Sequence, residues 1–393
     1  MTPFGVYVHI PFCARRCSFC AFATWTDRSA LMEEYAAACR TEICRAGLAP
    51  ASSVFFGGGT PSLMPAALLV SILATIPRTD GAEVTVECNP ETVSEPLVSA
   101  YRDAGVNRLS FGVQSMVPHV LSSLGRDHDP VAVHEAVRVA KDAGFDNLNL
   151  DLIYGAVGES DDDWAQTLEA ALALGPTHLS AYALTVEPGT PLAADPSRHP
   201  DDDVQADRYL MAEEMLGAAG FGNYEISNWA KPGRECRHNF VYWRQGDYRG
   251  IGCAAHSHRR GRRWWNVRTP ERYIAAVGEG GGVEAGAETL DLAGQRRERD
   301  RLALRTRDGV GVDAFSPEDR TLLLERGLVR VDGGRVRLTP TGRLLATQVA
   351  LRLRGGGEDD VHADVEEVGV GRIGEAGAVL PDDRLPVGGD LGV

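Results

Sequence analysis

The sequence has no long uninterrupted apolar run. Its longest apolar segment, residues 63–76, is too short to span a bilayer and contains Pro65. The first twelve residues also lack the basic stretch and apolar run of a secretory signal. These absences predict a soluble, cytoplasmic protein without an integral membrane segment.

The chain has no surplus of basic residues either, since its formal net charge is -15. Residues 355–393 hold ten acidic residues and two Arg, so about half of that charge lies in this segment. Because phosphate contacts need clustered Lys and Arg, no general nucleic-acid binding is expected. The same segment has ten Gly and no aromatic residue, which predicts a Gly-rich, acidic, disordered tail.

Apolar, β-branched runs alternate with amphipathic stretches from the start of the chain, the pattern of a parallel sheet with crossover helices. The predicted strands are 6–10, 54–56, 83–88, 108–111, 147–153 and 178–185. The clearest helix has apolar residues at 133, 136, 137 and 140, followed by Gly144. Six βα units predict an open partial (β/α)6 barrel of the α/β class, with functional residues at the carboxyl ends of its strands.

The remaining chain predicts two further segments beyond the barrel of residues 1–200. Residues 201–297 form an extension rich in Trp, His and Gly. Residues 298–354 combine helices at 299–305 and 317–325 with two alternating runs that flank Gly333 and Gly334. A Gly-Gly pair between such runs indicates a hairpin, so this segment is expected to be a small winged-helix-like α+β domain.

The eight cysteines fall into one cluster and five scattered residues. Clustered cysteines in a cytosolic chain indicate a metal or redox site, and Cys13, Cys17 and Cys20 could hold three corners of an iron-sulfur cubane. A zinc loop completed by a distant ligand, or chance, are the alternatives. The scattered residues are predicted to be buried small hydrophobes: Cys39, Cys44, Cys88, Cys236 and Cys253.

Two further motifs could contact a ligand. The glycine-rich block that ends in Gly58, Gly59 and Thr60 follows a strand and lacks the Lys of a P-loop, so it is not a triphosphate cradle. Its glycines allow close backbone approach to a ligand, although the turn could equally be structural. Asp151 places a charge in a buried strand, which requires a ligand or a salt-bridge partner.

The segment from Tyr7 through Cys13 to Cys20 resembles the cluster loop of radical S-adenosylmethionine proteins. The resemblance is to the branch that contains oxygen-independent coproporphyrinogen III oxidase and the HemW-type heme chaperones. It implies a 4Fe-4S cluster on the three cysteines, whose open iron chelates the amino and carboxylate groups of S-adenosylmethionine. It also implies a cofactor-contacting set: Tyr7, Phe19, Gly58, Gly59, Thr60, Glu87, Gln114, Arg126 and Asp151.

Residues 238–243 resemble the HNxxYW signature of the HemW-type chaperones, which is associated there with heme. The heme candidates are His238, Asn239, Tyr242 and Trp243. A His can ligate heme iron, and Tyr and Trp can flank a porphyrin. The alternative is a His that packs within the fold. Residues 250–258 resemble the family's glycine-rich strand near the cofactor.

One position separates the two branches. Phe22 stands where the oxidases carry a fourth Cys, and the chaperone branch typically has Phe there. With the HNxxYW block, this favours a heme chaperone that delivers heme to apo-hemoproteins. The alternative is the oxidase, which decarboxylates two propionates of coproporphyrinogen III through a 5'-deoxyadenosyl radical. A radical enzyme acting on RNA should carry a basic domain, and the sequence indicates none. No catalytic residue is assigned.

The basic run 259–265 interleaves Arg with Trp264 and Trp265. It could clamp nucleic acid, neutralise tetrapyrrole propionates, or form a basic surface turn at Gly261, which is the favoured interpretation. The chain also departs from the family pattern at Ala21, at Ala156 with Val157, and at Ala183.

Overall fold

A computed structural model describes residues 3–126 and 129–354. Its centre is a run of six parallel strands that pair in chain order. These strands are β1 (Phe4–Ile10), β2 (Ala51–Gly58), β3 (Arg78–Cys88), β4 (Arg108–Gln114), β5 (Leu148–Tyr154) and β6 (His178–Ala183). Each of the six overlaps one of the predicted strands. The predicted α/β partial barrel is confirmed.

Six further strands extend this sheet at both sides. They are β7 (Gly222–Glu225), β8 (Asn228–Ala230), β9 (Asp247–Ile251), β10 (His256–Arg259), β11 (Arg262–Asn266) and β12 (Glu284–Thr289). Strand β9 pairs with β1 in parallel, and β10, β11 and β12 follow it antiparallel. At the other side β8 and β7 follow β6 antiparallel. In the described part of the chain the barrel therefore stays open, with β12 and β7 at its edges.

Helices connect and flank the parallel strands. They are α1 (Met32–Ala46), α2 (Ala66–Leu73), α3 (Glu95–Asp103), α4 (Pro118–Ser123), α5 (Pro130–Asp142), α6 (Asp161–Ala173) and α7 (Asp202–Ala218). The predicted apolar face of α5 is buried, and Gly144 takes a φ of +86° just beyond its end. Ser160 and Asp163 form a capping box that starts α6.

The extension continues with α8 (Arg237–Trp243) and α9 (Pro270–Gly278). Strands β10 and β11 form a hairpin that turns at Arg260 and Gly261, both with positive φ. The arginines of this hairpin pair with acidic neighbours, Arg262 with Glu284 at 2.6 Å and Arg263 with Glu288 at 2.7 Å. The predicted turn at Gly261 is therefore confirmed.

A second, smaller core lies in the C-terminal unit. It contains the helices α10 (Leu292–Leu304), α11 (Pro317–Glu325), α12 (Pro340–Leu344) and α13 (Ala346–Ala350), with the strands β13 (Val310–Gly311), β14 (Val329–Asp332) and β15 (Arg335–Leu338). The strands pair antiparallel in the order β13, β15, β14. Gly333 and Gly334 form the predicted hairpin turn with φ of +57° and +75°. The small C-terminal α+β unit is confirmed.

Some expectations are corrected or stay open. Cys44 is exposed, so the prediction that it is buried is wrong, whereas the other four scattered cysteines are buried. The first C-terminal helix begins at Leu292 rather than at residue 299, and it crosses the boundary expected at residue 298. The division into 1–200, 201–297 and 298–354 stays a prediction. The tail, 355–393, lies outside the described residues. No helix in the described ranges has the length and apolar character needed to cross a bilayer.

Candidate functional site

Residues 13–20, the cysteine loop, follow β1 at its carboxyl end. The backbone N–H of Cys13 donates to the carbonyl of Trp25 at 3.0 Å, and Trp25 N–H donates to the carbonyl of Pro11 at 2.8 Å. These bonds fix the start of the loop. Cys13, Cys17 and Cys20 are partly exposed and form no disulfide, and all three residues line one cavity. The structure thus brings the three predicted ligands together at the barrel mouth.

The cavity has a volume of about 1030 Å³ including its open mouth. Its walls combine the cysteine loop with inward side chains of β2 through β6. Because the carboxyl ends of parallel strands meet at one edge of a sheet, the fold gathers these side chains around one space.

Glycines close the end of β2 against the cysteine loop. A Cβ on Gly59 would lie 2.7 Å from the carbonyl oxygen of Phe12 and 3.0 Å from Cys13 Sγ. Gly58 has a φ of +108°, and its N–H donates to Glu87 Oε2 at 3.2 Å. Close backbone packing therefore requires glycine here. Both glycines and Thr60 also line the cavity, so this turn has a structural role and faces the site.

The environment of Cys13 differs from that of an exposed thiol. Burial raises the pKa of Cys13, while a hydrogen bond from Thr60 and the positive charge of Arg126 act in the opposite direction. Thr60 Oγ1 lies 3.8 Å from Cys13 Sγ. In the described ranges no three His, Cys, Asp or Glu side chains converge as around a single metal ion. The donor set, three thiols on one loop, fits a cluster in which each thiolate ligates its own iron.

Most of the other residues expected to contact cofactor lie on the same cavity. Glu87 at the end of β3, Gln114 at the end of β4 and Arg126 after α4 all line it. Gln114 has a φ of +66° at a register shift between β4 and β5. The absence of a side chain at Gly112 leaves room for Arg126, whose Nη2 would lie 3.4 Å from a Cβ there.

Asp151 faces the cavity from β5 within a polar network. Its Oδ2 accepts from Ser110 Oγ at 2.9 Å, and its Oδ1 accepts from Asn149 Nδ2 at 2.7 Å. Burial raises the pKa of Asp151, and these hydrogen bonds oppose that rise. No cation pairs with its carboxylate within 4 Å among residues 3–126 and 129–354. The salt-bridged alternative for Asp151 therefore has no partner in the described chain.

The aromatic members of the set are placed differently from one another. Phe19 is half-buried and lines the cavity. Tyr7 is 2% exposed, hydrogen-bonds His9 Nδ1 through its hydroxyl at 3.0 Å and is not among the residues that line the cavity. The structure therefore brings all of the expected set to one space except Tyr7, which packs behind it.

The four HNxxYW residues on α8 point to different surroundings. The ring of His238 is fully buried, with Nδ1 2.9 Å from Ser53 Oγ and Nε2 2.8 Å from the hydroxyl of Tyr242. Burial lowers the pKa of His238 to about 3, so the ring is neutral. Asn239 lines the cavity, whereas Trp243 packs into the core of the C-terminal unit. The structure does not bring the four residues to one site.

Several polar residues on the strands that line the cavity were absent from the sequence prediction. They include Arg108, Ser110, Asn149, Ser180 and Asn228. A signal was present, because Arg108 and Ser110 alternate along β4 and so do Asn149 and Asp151 along β5, as inward residues of a strand must.

The fold and this site define the class of the protein. Residues 7–171 match the family model of the Radical SAM superfamily. A solved structure of coproporphyrinogen III oxidase (HemN) from Escherichia coli, described as a radical SAM enzyme, superposes with a TM-score of 0.76. It is 25% identical, and the match covers 89% of each chain.

Sequence relatives narrow the class to a family. The heme chaperone HemW of Mycobacterium tuberculosis is 40% identical over 371 residues, which cover 90% of this chain and 95% of that protein. HemW of Bacillus subtilis is 33% identical, with 88% and 97% covered. HemW of Escherichia coli is 39% identical over 65% of this chain and 70% of its own. The chain belongs to the HemW family of radical SAM proteins.

Proposed function

We propose that the chain is a heme chaperone, which binds heme and delivers it to apo-hemoproteins in the cytoplasm. The observation that carries this proposal is the 40% identity, over nearly the whole of both chains, to a relative named heme chaperone HemW. The cavity supports it, because the cysteine loop and Asn239 of the HNxxYW segment line the same space.

The cysteine loop would hold a 4Fe-4S cluster through Cys13, Cys17 and Cys20. The fit rests on three thiols outside disulfides on one loop beside a polar cavity. S-adenosylmethionine would lie next to this loop, against Gly58 to Thr60, Glu87, Gln114, Arg126 and Asp151. When bound, the cluster supplies an open iron that can chelate the amino and carboxylate groups of this cofactor. The protein contributes close backbone approach at the glycines and fixed polar groups at the strand ends.

The HNxxYW segment stays our heme candidate, and its residues would act in different ways. Asn239 already reaches the cavity. His238 can reach an iron atom only if its hydrogen bonds to Ser53 and Tyr242 break, because both of its ring nitrogens are engaged. Ligation by His238 therefore requires a movement of α8, whereas contact with Asn239 does not.

The second candidate function is the oxygen-independent oxidase, which the structural similarity to coproporphyrinogen III oxidase favours. The protein should be reconstituted anaerobically with iron and sulfide, loaded with S-adenosylmethionine and given either heme or coproporphyrinogen III. Heme binding without decarboxylation is the expected result. Robust formation of protoporphyrinogen IX would favour the oxidase instead.

A further inference from the structure

Arg108 is a buried cation whose guanidinium has no hydrogen-bond acceptor among the described residues. It lies at the amino end of β4, is 2% exposed and lines the floor of the cavity. Its Nε is buried without a hydrogen-bond partner. Its guanidinium forms no hydrogen bond or ion pair with any residue in the described ranges 3–126 and 129–354. Buried N–H donors are costly when they lack acceptors, so this arrangement calls for an acceptor group supplied by a ligand.

The carboxylates near Arg108 already bind other donors. Glu83 accepts from the backbone N–H groups of Arg237 at 3.1 Å and His238 at 3.0 Å, at the start of α8. Asp151 accepts from Ser110 and Asn149. Both carboxylates act on Arg108 through space without bonding to it. The five N–H donors of its guanidinium are therefore free to bind a ligand.

A second unpaired group lies on the same floor. Asn239 is 6% exposed and lines the cavity, and its side-chain amide forms no hydrogen bond among the described residues. Arg108 pairs with Thr85 on β3, and Glu83, two residues earlier on that strand, accepts the N–H of His238, so Arg108 lies near the start of α8. Two unpaired donors, a guanidinium and an amide, thus face one space.

We propose that Arg108 and Asn239 form a carboxylate-binding subsite that takes a propionate of the bound tetrapyrrole. This inference rests on the proposed function, since heme is the ligand that would bring the carboxylate. The planar fork of an arginine matches a carboxylate with two parallel hydrogen bonds, and an amide N–H₂ adds a further donor. Filling the subsite would pair the buried cation.

The position of Arg108 separates this subsite from that of S-adenosylmethionine. Arg108 precedes Gln114 by six residues on the same strand. At about 3.3 Å per residue, their Cα atoms lie about 20 Å apart. The carboxylate of S-adenosylmethionine is expected beside the cysteine loop, at the end of the strand marked by Gln114. The two carboxylates would therefore occupy opposite ends of the cavity.

The test compares heme with its dimethyl ester, in which both propionates are blocked. Heme should bind the parent protein about tenfold to a hundredfold more tightly than the ester does. Arg108→Met should weaken heme binding by a similar factor and leave ester binding unchanged. Asn239→Leu should weaken heme binding less. Arg138→Met, at an exposed arginine paired with Glu135, is the matched control and should bind heme like the parent.

Four outcomes have distinct meanings. Equal binding of heme and ester by the parent protein would overturn the subsite without the need for any variant. A lower melting temperature of Arg108→Met with unchanged heme affinity would make Arg108 a structural cation. Weaker binding of S-adenosylmethionine, with heme unaffected, would assign Arg108 to the other carboxylate. Failure of the parent protein to bind heme at all would overturn both the subsite and the proposed function.

If Arg108→Met does not fold, Arg108→Lys keeps the charge and removes the fork. The affinity of this variant for heme should then lie between the affinities of the parent for heme and for the ester, because a lysine makes no bidentate contact. A lysine variant as tight as the parent would contradict the proposed geometry.

Discussion

At the scale of single residues, the cysteines differ in whether they line the cavity or are buried in the fold. Cys13, Cys17 and Cys20 line the cavity, whereas Cys39, Cys88, Cys236 and Cys253 are buried in the fold. Burial raises the pKa of Cys88 and of Cys236 to about 12, so these thiols stay protonated. Because the thiolate is the metal ligand, buried thiols of this kind are poor candidates.

The first prediction concerns the cluster. Reconstituted protein should contain about four irons and four sulfides per chain, as a cubane requires. Replacing Cys13, Cys17 or Cys20 by Ser should remove most of the iron, because each thiolate would ligate its own iron. Cys44→Ser is the matched control, since Cys44 is exposed and lies off the cavity, and it should keep the full iron content. One zinc per chain without sulfide would contradict the cluster.

The second prediction concerns Asp151, whose pKa burial raises. The folded protein therefore keeps a proton on this carboxyl at pH values where the unfolded chain has lost it. Its contribution to the free energy of unfolding is largest at acid pH and is lost as the pH rises through the raised pKa. At pH 7 the melting temperature of Asp151→Asn should therefore equal or exceed that of the parent. Any excess should shrink as the pH is lowered, because the carboxyl of the parent then becomes protonated.

The same variant tests the role of Asp151 as a ligand contact. Asp151→Asn should weaken binding of S-adenosylmethionine by about tenfold or more, the value of one hydrogen bond to a charged group. Calorimetry at pH 7 measures this directly. Equal affinity in the parent and the variant would show that Asp151 belongs to the core network of Ser110 and Asn149 instead.

At the scale of elements, helix α8 connects the barrel floor with the C-terminal unit. Glu83 on β3 accepts hydrogen bonds at its start, and Trp243 at its end packs in the second core beside Leu304 and Phe315. Between them, Asn239 reaches the cavity. The HNxxYW spacing thus sends successive residues of one short helix to three different surroundings.

A third prediction follows for α8. His238→Ala removes a buried ring and leaves Ser53 Oγ and the Tyr242 hydroxyl without their partner, so the free energy of unfolding should fall by about 2–4 kcal/mol. Tyr242→Phe removes one of the two hydrogen bonds and should cost about 1 kcal/mol. Thermal melting measures both. If His238 also ligates heme, only His238→Ala should shift the Soret band of the bound heme.

The sequence predicted the strands and turns better than it predicted the residues on the floor of the cavity. The parallel strands were predictable because buried strands form short apolar runs, and the hairpin at Gly333 because two positive φ values require glycine. The start of α10 was missed, although Asp291 caps it by accepting from the N–H of Gly294. Arg108 was missed because a charged residue opening a strand is normally exposed, and only the fold shows that it faces inward.

At the scale of the whole molecule, one cavity extends from the cysteine loop to α8. The cysteine loop and the strand ends would hold the cluster and S-adenosylmethionine at its mouth. Arg108 and Asn239 would hold a propionate at its floor. A single space would then bring heme and the radical cofactors together, which fits membership of a family with both a radical SAM domain and relatives named heme chaperones.

The most direct test of the central claim is heme transfer. Protein with reconstituted cluster is loaded with one equivalent of heme, separated from free heme and mixed anaerobically with an apo-hemoprotein. The Soret spectra of the two proteins are then recorded after separation. The account predicts that the acceptor gains the heme that this chain loses. Heme that stays on this chain in the presence of excess acceptor, or an acceptor that gains no more than from free heme, would contradict it.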